Sequence, residues 1–202
     1  MARDLDFFFF YGSTYTFLSV LRIEKLASAA NVTIRWRPIN VRDLMVEMDN
    51  IPFAGKPIKA AYMWRDIERR AARYGLPFAK PSVYPVDPEL VANRVGVVAA
   101  EQGWCSEYTK ASYEAWFLRD KAIGFDDNIE KVLSSIGKDA DQVLDLANSD
   151  ETKSRFSEET DVARQMGVFG SPTFAVDDEI FWGDDRLEDV LEWISTGSPS
   201  NA

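Results

Sequence analysis

An almost unbroken apolar run opens the chain and stops at a small polar cluster. Four phenylalanines occupy positions 7–10, and the sequence turns polar at Gly12-Ser13-Thr14. A run without alternation is typical of a strand that is covered on both faces of an α/β sheet. Apolar side chains then recur at helical spacing, at Phe17, Leu18, Leu21, Leu26 and Ala30. The pattern predicts a central strand over 5–10 and a first helix with Ser13 as its N-cap.

The hydrophobic period changes twice more along the chain. Residues 32–39, VTIRWRPI, alternate apolar and polar side chains, which predicts a second strand ending at Pro38. Pro57 then stands where a first-turn proline belongs, and the helix that it begins would run to Gly75. After a proline-containing loop, further helix starts are indicated at Asp87, Ser106, Asp126, Asp139 and Ser149.

The C-terminal part returns to strands. Residues 172–183 read as two short strands around a turn at Asp177-Asp178, and an amphipathic helix follows. The resulting order, β-α-β, a helical block, then β-β-α, predicts an α/β protein with a thioredoxin-like fold and an all-helical domain inserted in its middle. Residues 1–50 and 150–202 would form the thioredoxin-like domain, and residues 51–149 the insert.

Composition narrows the classes of partner. The 202 residues are 46% hydrophobic, enough to fill a core, and 33 acidic against 23 basic side chains give a net charge of -10. An acidic field repels phosphate backbones, so we expect no nucleic acid partner. Without a leader-like start or an apolar run of roughly 20 residues, we expect a soluble, cytoplasmic protein and no membrane partner.

The counts of histidine and cysteine exclude several chemistries. The chain has no histidine and one cysteine, Cys105, so a Ser-His-Asp triad and an internal disulfide are impossible, and no metal site is predicted. A thioredoxin-like fold usually works through Cys-x-x-Cys after its first strand, where this chain has Gly12-Ser13-Thr14-Tyr15. Ser13 without a base is a poor nucleophile but a good hydrogen-bond donor to a sulfur, which a bound ligand would have to supply.

Three segments carry a family resemblance. DFFFFYGSTYTFL, MGVFGSPTF and IFWGDDRLEDV resemble the kappa-class glutathione transferases and, more closely, the bacterial 2-hydroxychromene-2-carboxylate isomerases. The resemblance spans nearly the whole chain, including KAAYMWRDIERRAARYGLPF in the helical block. It implies a glutathione cofactor, and it implies that the catalytic residue Ser13 contacts the glutathione sulfur rather than only capping a helix.

The resemblance also implies a binding site for the rest of glutathione. Gly170-Ser171-Pro172 resembles a loop in which a cis proline exposes the preceding backbone to the cysteinyl part, although a trans proline starting a strand is commoner. Trp182, Gly183, Asp184 and Asp185 resemble the turn that holds the γ-glutamyl end. One aspartate is expected to bind the ammonium group and the other to cap the last helix.

Three further residues have both a functional and an ordinary interpretation. Asn50 matches an asparagine that contacts glutathione, though loop asparagines usually make turns. Lys59 matches a lysine near the ligand carboxylates; a cation in a first helical turn gains nothing from the helix dipole, but a solvated surface lysine remains the alternative. Tyr84 matches a tyrosine that touches the aromatic substrate, or it packs its loop onto the helical block.

The activity implied by the resemblance is isomerisation of 2-hydroxychromene-2-carboxylate in the catabolism of naphthalene and polycyclic aromatics. Reversible addition of the glutathione thiolate would open the ring, allow rotation and leave the trans alkene after expulsion of the thiolate. The substrate would be a small aromatic carboxylate, and the family suggests a homodimer. Two alternatives stay open: a kappa-like transferase that conjugates glutathione to an electrophile, and a noncatalytic thioredoxin-like binding module.

Overall fold

The computed structural model describes residues 3–51, 53 and 55–197, with residue 126 described by its backbone alone. The strands are β1 (Arg3–Phe9), β2 (Val32–Pro38), β3 (Thr173–Val176) and β4 (Glu179–Trp182). The helices are α1 (Thr16–Val20), α2 (Ile23–Ala29), α3 (Val41–Glu47), α4 (Pro57–Tyr74), α5 (Val91–Glu101), α6 (Cys105–Arg119), α7 (Asp126–Ser135), α8 (Ala140–Asn148), α9 (Asp150–Gln165) and α10 (Leu187–Thr196). A 3-10 turn spans Asp184–Arg186.

The four strands form one mixed sheet in the order β2-β1-β3-β4. β1 pairs with β2 in parallel and with β3 in antiparallel orientation, and β3 pairs with β4 as an antiparallel hairpin. The predicted turn at Asp177-Asp178 joins the two hairpin strands, with Asp177 at φ 53°. With the helical block between β2 and β3, the predicted thioredoxin-like fold with a helical insertion is confirmed.

β1 is covered on both faces, as its continuous apolar run predicts. Phe7 and Phe9 join the larger core cluster, where the Phe7 ring lies 4.9 Å from Phe9 and 5.2 Å from Phe174. Phe8 and Phe10 point to the opposite face and pack in a second cluster. That second cluster is built with Ile39, Val41, Leu44, Ala163, Val168 and Ala175.

The first predicted helix is two helices, and Ser13 does not cap either. α1 begins after Tyr15, and its N-cap makes no side-chain hydrogen bond. The Ser13 N–H donates to the carbonyl of Phe10 at 2.9 Å, so Ser13 belongs to the turn that leaves β1. The interruption between α1 and α2 lies at Arg22, which has φ −121°. The prediction of Ser13 as an N-cap is therefore wrong, because the turn delays the helix until Thr16.

The helical block differs from its prediction mainly at helix starts. α3 was not predicted, because seven residues give too short a periodic pattern. Asp87 lies outside α5 but still caps it, accepting hydrogen bonds from the N–H groups of Ala92 and Asn93 at 3.0 and 3.1 Å. Ser106 lies inside α6, which begins at Cys105, so its predicted cap is wrong.

The remaining predicted caps have mixed outcomes. Asp139 accepts the N–H of Gln142 at 3.0 Å and Ser149 accepts that of Thr152 at 3.2 Å, so both caps are confirmed. The predicted cap at Asp126 lies outside the described side chains. The helix α10 buries Leu187, Val190, Leu191 and Ile194, as its pattern predicts.

α5 ties the helical block to the strand that carries the Ser13 turn. A Cβ atom on Gly96 would fall 2.4 Å from Cε2 of Tyr11, so only glycine allows this approach. Asn93, one turn earlier, accepts the backbone N–H of Tyr11 through its Oδ1 at 3.1 Å. The helical block packs directly on the sheet and is not set apart from it. The division into a thioredoxin-like domain, 1–50 with 150–202, and a helical domain, 51–149, therefore stays a prediction. In the described part of the chain, no helix has both the length and the apolarity that a membrane span requires.

Candidate functional site

Ser13 lies in a turn that is fixed by hydrogen bonds on both sides. Its side chain is half-buried, and its hydroxyl donates to the carbonyl oxygen of Ser171 at 2.8 Å. The buried Tyr113 hydroxyl lies 2.9 Å from the carbonyl oxygen of Phe10 and 3.1 Å from that of Ser13. The Ser13 hydroxyl is therefore held at a defined point on the surface, where rotation about one side-chain bond redirects its proton.

The Ser171-Pro172 segment faces this turn and has a cis peptide bond, as the resemblance implies. The Ser171 Oγ accepts the N–H of Phe10 at 3.0 Å and lies 3.0 Å from the hydroxyl of Thr16. The carbonyl of Pro172 accepts the N–H of Gly183 at 2.9 Å. Segments distant in sequence thus meet, which brings the predicted residues Ser13, Ser171, Pro172 and Gly183 together.

Trp182 forms one wall beside the cis proline. A Cβ atom on Gly170 would fall 2.2 Å from the indole Nε1 of Trp182, so the ring lies directly over this glycine. The Phe169 ring supports the indole at a centroid distance of 4.8 Å. Trp182 is still 52% exposed, so the wall is accessible to a ligand.

Asp184 is a buried carboxylate beside an arginine. Its side chain is 1% exposed, and Nη2 of Arg70 lies 3.0 Å from its Oδ2. The N–H bonds do not point along this contact, so neither carboxylate oxygen accepts an aligned hydrogen bond from any described residue. Burial is the main cause that raises the pKa of Asp184 to about 7, although Arg70 opposes this shift.

Asp185 is the exposed member of the acidic pair. Partial burial acts to raise its pKa, but Arg70 and Arg186 outweigh this effect and lower the pKa below its usual value. Neither aspartate caps the last helix, because α10 and the 3-10 turn before it lack a side-chain cap. The expected cap on the last helix is wrong, since the 3-10 turn separates both residues from the start of α10, while the expected ligand role stays a prediction.

Asp185 lines a groove with mixed charge. The groove has a volume of about 580 Å³, and its lining includes Asp66, Arg70, Arg73 and Asp185. At its rim the Tyr15 hydroxyl donates to Asp66 at 3.0 Å. Burial, followed by the charge of Asp66, raises the pKa of Tyr15, so this phenol stays protonated as a donor.

The other three predicted residues make no contact with Ser13, Ser171, Pro172 or Gly183 in the described chain. Asn50 is exposed, and its backbone N–H donates to Met45 at 2.8 Å. Lys59 is exposed on α4, with its Nζ 5.8 Å from the ring centroid of Phe53. Tyr84 is half-buried among aromatic rings. Its ring centroid lies 5.5 Å from that of Trp64, 6.4 Å from that of Phe53 and 6.5 Å from that of Trp116.

Arginines complete the site that the sequence pointed to only in part. Arg22 is 9% exposed and donates through Nη2 to the backbone carbonyl of Asp184 at 2.9 Å. Arg70 belongs to IERRAARYG, a basic patch typical of a solvated helix face. Its spacing from Asp66 was visible in the sequence, but its contact with Asp184 was not. Arg42 lies in α3, the helix that was not predicted, and no pattern pointed to it.

The chain belongs to the family of DSBA-like thioredoxin domains, whose match covers residues 4–195. A 2-hydroxychromene-2-carboxylate isomerase of Sphingobium xenophagum is 29% identical over 198 residues, which cover 95% of this chain and 97% of that protein. Glutathione S-transferase kappa 1 of Rattus norvegicus is 26% identical, with 92% of this chain and 88% of that protein covered. The resemblance read from the sequence is confirmed.

Solved structures agree with this assignment. A 2-hydroxychromene-2-carboxylate isomerase structure has a TM-score of 0.85 and 25% identity, and the match covers 95% of this chain and 94% of that one. A probable DsbA oxidoreductase from Streptomyces coelicolor has a TM-score of 0.77 at 16% identity, with 99% of this chain and 93% of that one covered, which shows the shared fold. The relatives are thus named as isomerases and transferases, and the fold is also shared with redox proteins.

The raised pKa of Asp184 predicts a defined pH dependence of stability. A carboxyl that holds its proton more tightly when folded stabilises fully below its unfolded pKa near 4, and this stabilisation is lost as pH rises through about 7. Asp184→Asn removes this titration. We therefore expect the free energy of unfolding of the variant to rise relative to that of the wild type as pH increases from 4 to 8. The relative gain is roughly 4 kcal/mol at most, and it is measured by urea unfolding.

Asp185→Asn is the matched control. The lowered pKa of Asp185 means that its contribution is present above the unfolded pKa and is lost as pH falls. Its variant should therefore lose stability relative to the wild type as pH rises, the opposite direction. If the free energies of unfolding of wild type and Asp184→Asn change with pH in parallel over the whole pH range, the Asp184 carboxyl titrates normally.

Proposed function

We propose that the protein is a glutathione-dependent isomerase of the 2-hydroxychromene-2-carboxylate type, acting in the catabolism of aromatic compounds. The observation that carries this proposal is the contact between the Ser13 hydroxyl and the Ser171 backbone beside a cis proline, in a fold that has no cysteine at this point. The relatives named as isomerases support the reaction type. Those named as kappa glutathione transferases support the cofactor.

The residues around Ser13 fit the cysteinyl part of glutathione. The Ser171 N–H has no acceptor in the described residues, and its carbonyl accepts only the hydroxyl of Ser13. Both backbone groups can therefore pair with an extended peptide. Rotation of the Ser13 hydroxyl towards a sulfur would place a donor on the thiolate and favour it over the thiol.

The residues around Asp184 fit the amino acid end of the ligand. A buried carboxylate without an aligned donor suits an ammonium group, which can supply three N–H donors. Arg70 lies between Asp184 and Asp185, at 3.0 and 3.4 Å, and can offer its remaining donors to an α-carboxylate. We assign the ammonium to Asp184 and the α-carboxylate to Arg70. Trp182 would cover the bound chain between this end and Ser13.

When bound, glutathione supplies a thiolate that adds to the conjugated substrate and leaves again, so the reaction has no net redox change. The protein orients the reactants and stabilises the thiolate through Ser13. The half-buried rings of Tyr84 and Trp64 would hold the planar rings of the substrate, with the buried Trp116 packed behind Tyr84. Lys59 and Asn50, both exposed, stay candidate contacts at the mouth of the site.

A kappa-like transferase is the second candidate, because relatives with that name match the chain over nearly its full length. Glutathione S-transferase kappa 2 of Caenorhabditis elegans is 24% identical, with 96% of this chain and 92% of that protein covered. Both reactions begin with the same thiolate, so the site alone suits either. For either reaction we expect a cytoplasmic protein, where glutathione is kept reduced, and a homodimer as the family implies.

The proposal predicts that added glutathione accelerates isomerisation of 2-hydroxychromene-2-carboxylate, because the thiolate must add to the substrate. The change is followed spectrophotometrically, and free thiol is measured in parallel. An isomerase leaves total free glutathione unchanged, whereas a transferase consumes it. No acceleration at any glutathione concentration would rule out the main proposal, and a failure to bind glutathione would favour the noncatalytic binding module.

Ser13→Ala should lower kcat/KM about tenfold to a hundredfold, because a hydrogen bond to a charged group contributes roughly 1.5–3 kcal/mol. The pKa of the bound thiol should rise by about one to two units, measured from the thiolate absorbance of the complex. Ser28→Ala, at an exposed position on α2, is the control and should behave as wild type. A thiol pKa that is identical in both variants would remove the proposed role of Ser13.

Asp184→Asn should abolish discrimination between glutathione and deaminoglutathione, which lacks the γ-glutamyl ammonium. In the wild type we expect deaminoglutathione to bind about tenfold to a hundredfold more weakly, measured by calorimetry. In the variant the two ligands should bind with nearly equal affinity. Asp178→Asn, in the exposed hairpin turn, removes the same charge and should keep the discrimination. Equal binding of both ligands by the wild type would contradict the assignment of Asp184.

A further inference from the structure

Arg42 is a half-buried cation that forms no ion pair with any described carboxylate. It lies on α3 and donates to the carbonyl oxygens of Asp87 and Val86, at 2.8 and 2.5 Å. A guanidinium carries five N–H donors, so these two contacts leave three without a protein acceptor in the described chain. Burial is the main cause that lowers the pKa of Arg42, which reflects a charge removed from water without full compensation.

The carboxylate whose charge acts on Arg42, that of Asp87, is already occupied. The Asp87 carboxylate accepts the N–H groups of Ala92 and Asn93, and its Oδ2 also accepts Nδ2 of Asn93 at 2.6 Å. Its side chain is thus used to begin α5, and Arg42 reaches only its backbone. In a protein with 33 acidic side chains, this guanidinium is left without an ion-pair partner in the described part of the structure.

A second polar group without a hydrogen bond in the described chain lies in the loop that Arg42 contacts. Tyr84 stands two positions before Val86, whose carbonyl oxygen accepts Nη2 of Arg42. Burial raises the pKa of the Tyr84 phenol, and the charge of Arg42 opposes this shift. Its hydroxyl makes no hydrogen bond to any described residue, while its ring packs against Trp64 and Trp116. One loop thus carries the two carbonyl groups that hold the Arg42 guanidinium and a phenol that packs in an aromatic cluster.

Arg42 is also close to the turn that carries Ser13. The guanidinium carbon lies 4.7 Å from the ring centroid of Phe10. On its own side, the Phe10 ring packs against Gly12, where an added Cβ would fall 2.4 Å from Cε1 of the ring. One aromatic ring, that of Phe10, therefore contacts both Arg42 and the Gly12-Ser13 turn, so the cation and the turn lie near each other.

We propose that Arg42 binds the carboxylate of the substrate and that the Tyr84 hydroxyl donates a second hydrogen bond to it. This subsite rests on the proposed function, and it assigns the acid group of that substrate to two residues outside the proposed glutathione contacts. A carboxylate there would supply the missing counter-charge and receive the fork of guanidinium donors. The net charge of -10 disfavours anions in general, so a local cation decides where an anion can bind.

The test compares two probes of the same shape, chromone-2-carboxylate and chromone-2-carboxamide, by calorimetry. Wild type should prefer the carboxylate. Arg42→Gln keeps donors for the loop carbonyls but removes the charge, so the carboxylate should bind about tenfold to a hundredfold more weakly while the carboxamide changes by less than about threefold. Tyr84→Phe should weaken the carboxylate by about two- to tenfold.

Two further variants separate charge from loop position. Arg42→Lys keeps the charge without the fork and should retain part of the preference for the carboxylate. Lys131→Gln, exposed on α7, removes one positive charge elsewhere and should leave both affinities unchanged. Thermal unfolding checks that each variant is folded. If Arg42→Gln weakens both probes equally, or neither, or if wild type has no preference, the proposal is wrong.

Glutathione titrations distinguish this proposal from the proposed function. Arg42→Gln should bind glutathione with wild-type affinity, because the contacts assigned to glutathione use Ser13, Ser171 and Asp184. If wild type binds no glutathione but the variants still show the expected loss of carboxylate preference, the carboxylate subsite stands and the glutathione-dependent function fails. If glutathione accelerates isomerisation but Arg42→Gln keeps the carboxylate preference, the function stands and the subsite fails.

Discussion

Burial of β1 on both faces is the constraint on which the rest of the structure depends. Phe7 and Phe9 need one apolar layer, and Phe8 and Phe10 need another on the opposite side. The chain meets this requirement by packing α5 and α6 on one face and α3 and α9 on the other. Since the turn leaving β1 emerges between these layers, Ser13 reaches the surface where segments from both sides converge. The site is thus a consequence of how the central strand is covered.

The meeting of two distant segments gives the site its rigidity. The hydroxyl of Ser13 and the carbonyl of Ser171 are separated by 158 positions, and the Ser171 hydroxyl returns a contact to the backbone of Phe10. These reciprocal bonds hold a thioredoxin-like geometry in which a hydroxyl replaces a thiol. The fold is shared with redox proteins, but this chain has Gly12-Ser13-Thr14-Tyr15 at the position where a thioredoxin-like fold usually carries Cys-x-x-Cys.

The sequence predicted the elements whose signals are local. The run at 7–10, the alternation at 32–39 and the caps at Asp139 and Ser149 all depend on neighbours within a few positions. It failed where a turn or a tertiary contact decided the outcome. The Ser13 cap and the continuous first helix were wrong because a turn follows β1 and because Arg22 interrupts the helix to reach across to another segment.

The residues of the candidate site also differ in whether a local motif or only a tertiary contact identifies them. The grouping of Ser13, Ser171, Pro172 and Gly183 was expected from short motifs, and the structure brings these residues together, while their roles stay predictions. Arg22, Arg70 and Arg42 could not be found in the sequence, since their contacts with Asp184, Val86 and Asp87 depend on folding. Arginines on a helix face look solvated until their partner is known.

The break between α1 and α2 has a consequence for transplanting the site. Arg22 stacks on the ring of Tyr74 at 3.6 Å, donates to Leu18 at 3.1 Å and holds the backbone of Asp184, so one guanidinium joins three stretches of chain. Copying the Ser13 and Ser171 loops into another thioredoxin-like protein would carry over the hydroxyl and the cis proline. The contact that holds the backbone of Asp184 would not be carried over, because Arg22 lies in the break between α1 and α2, outside both loops.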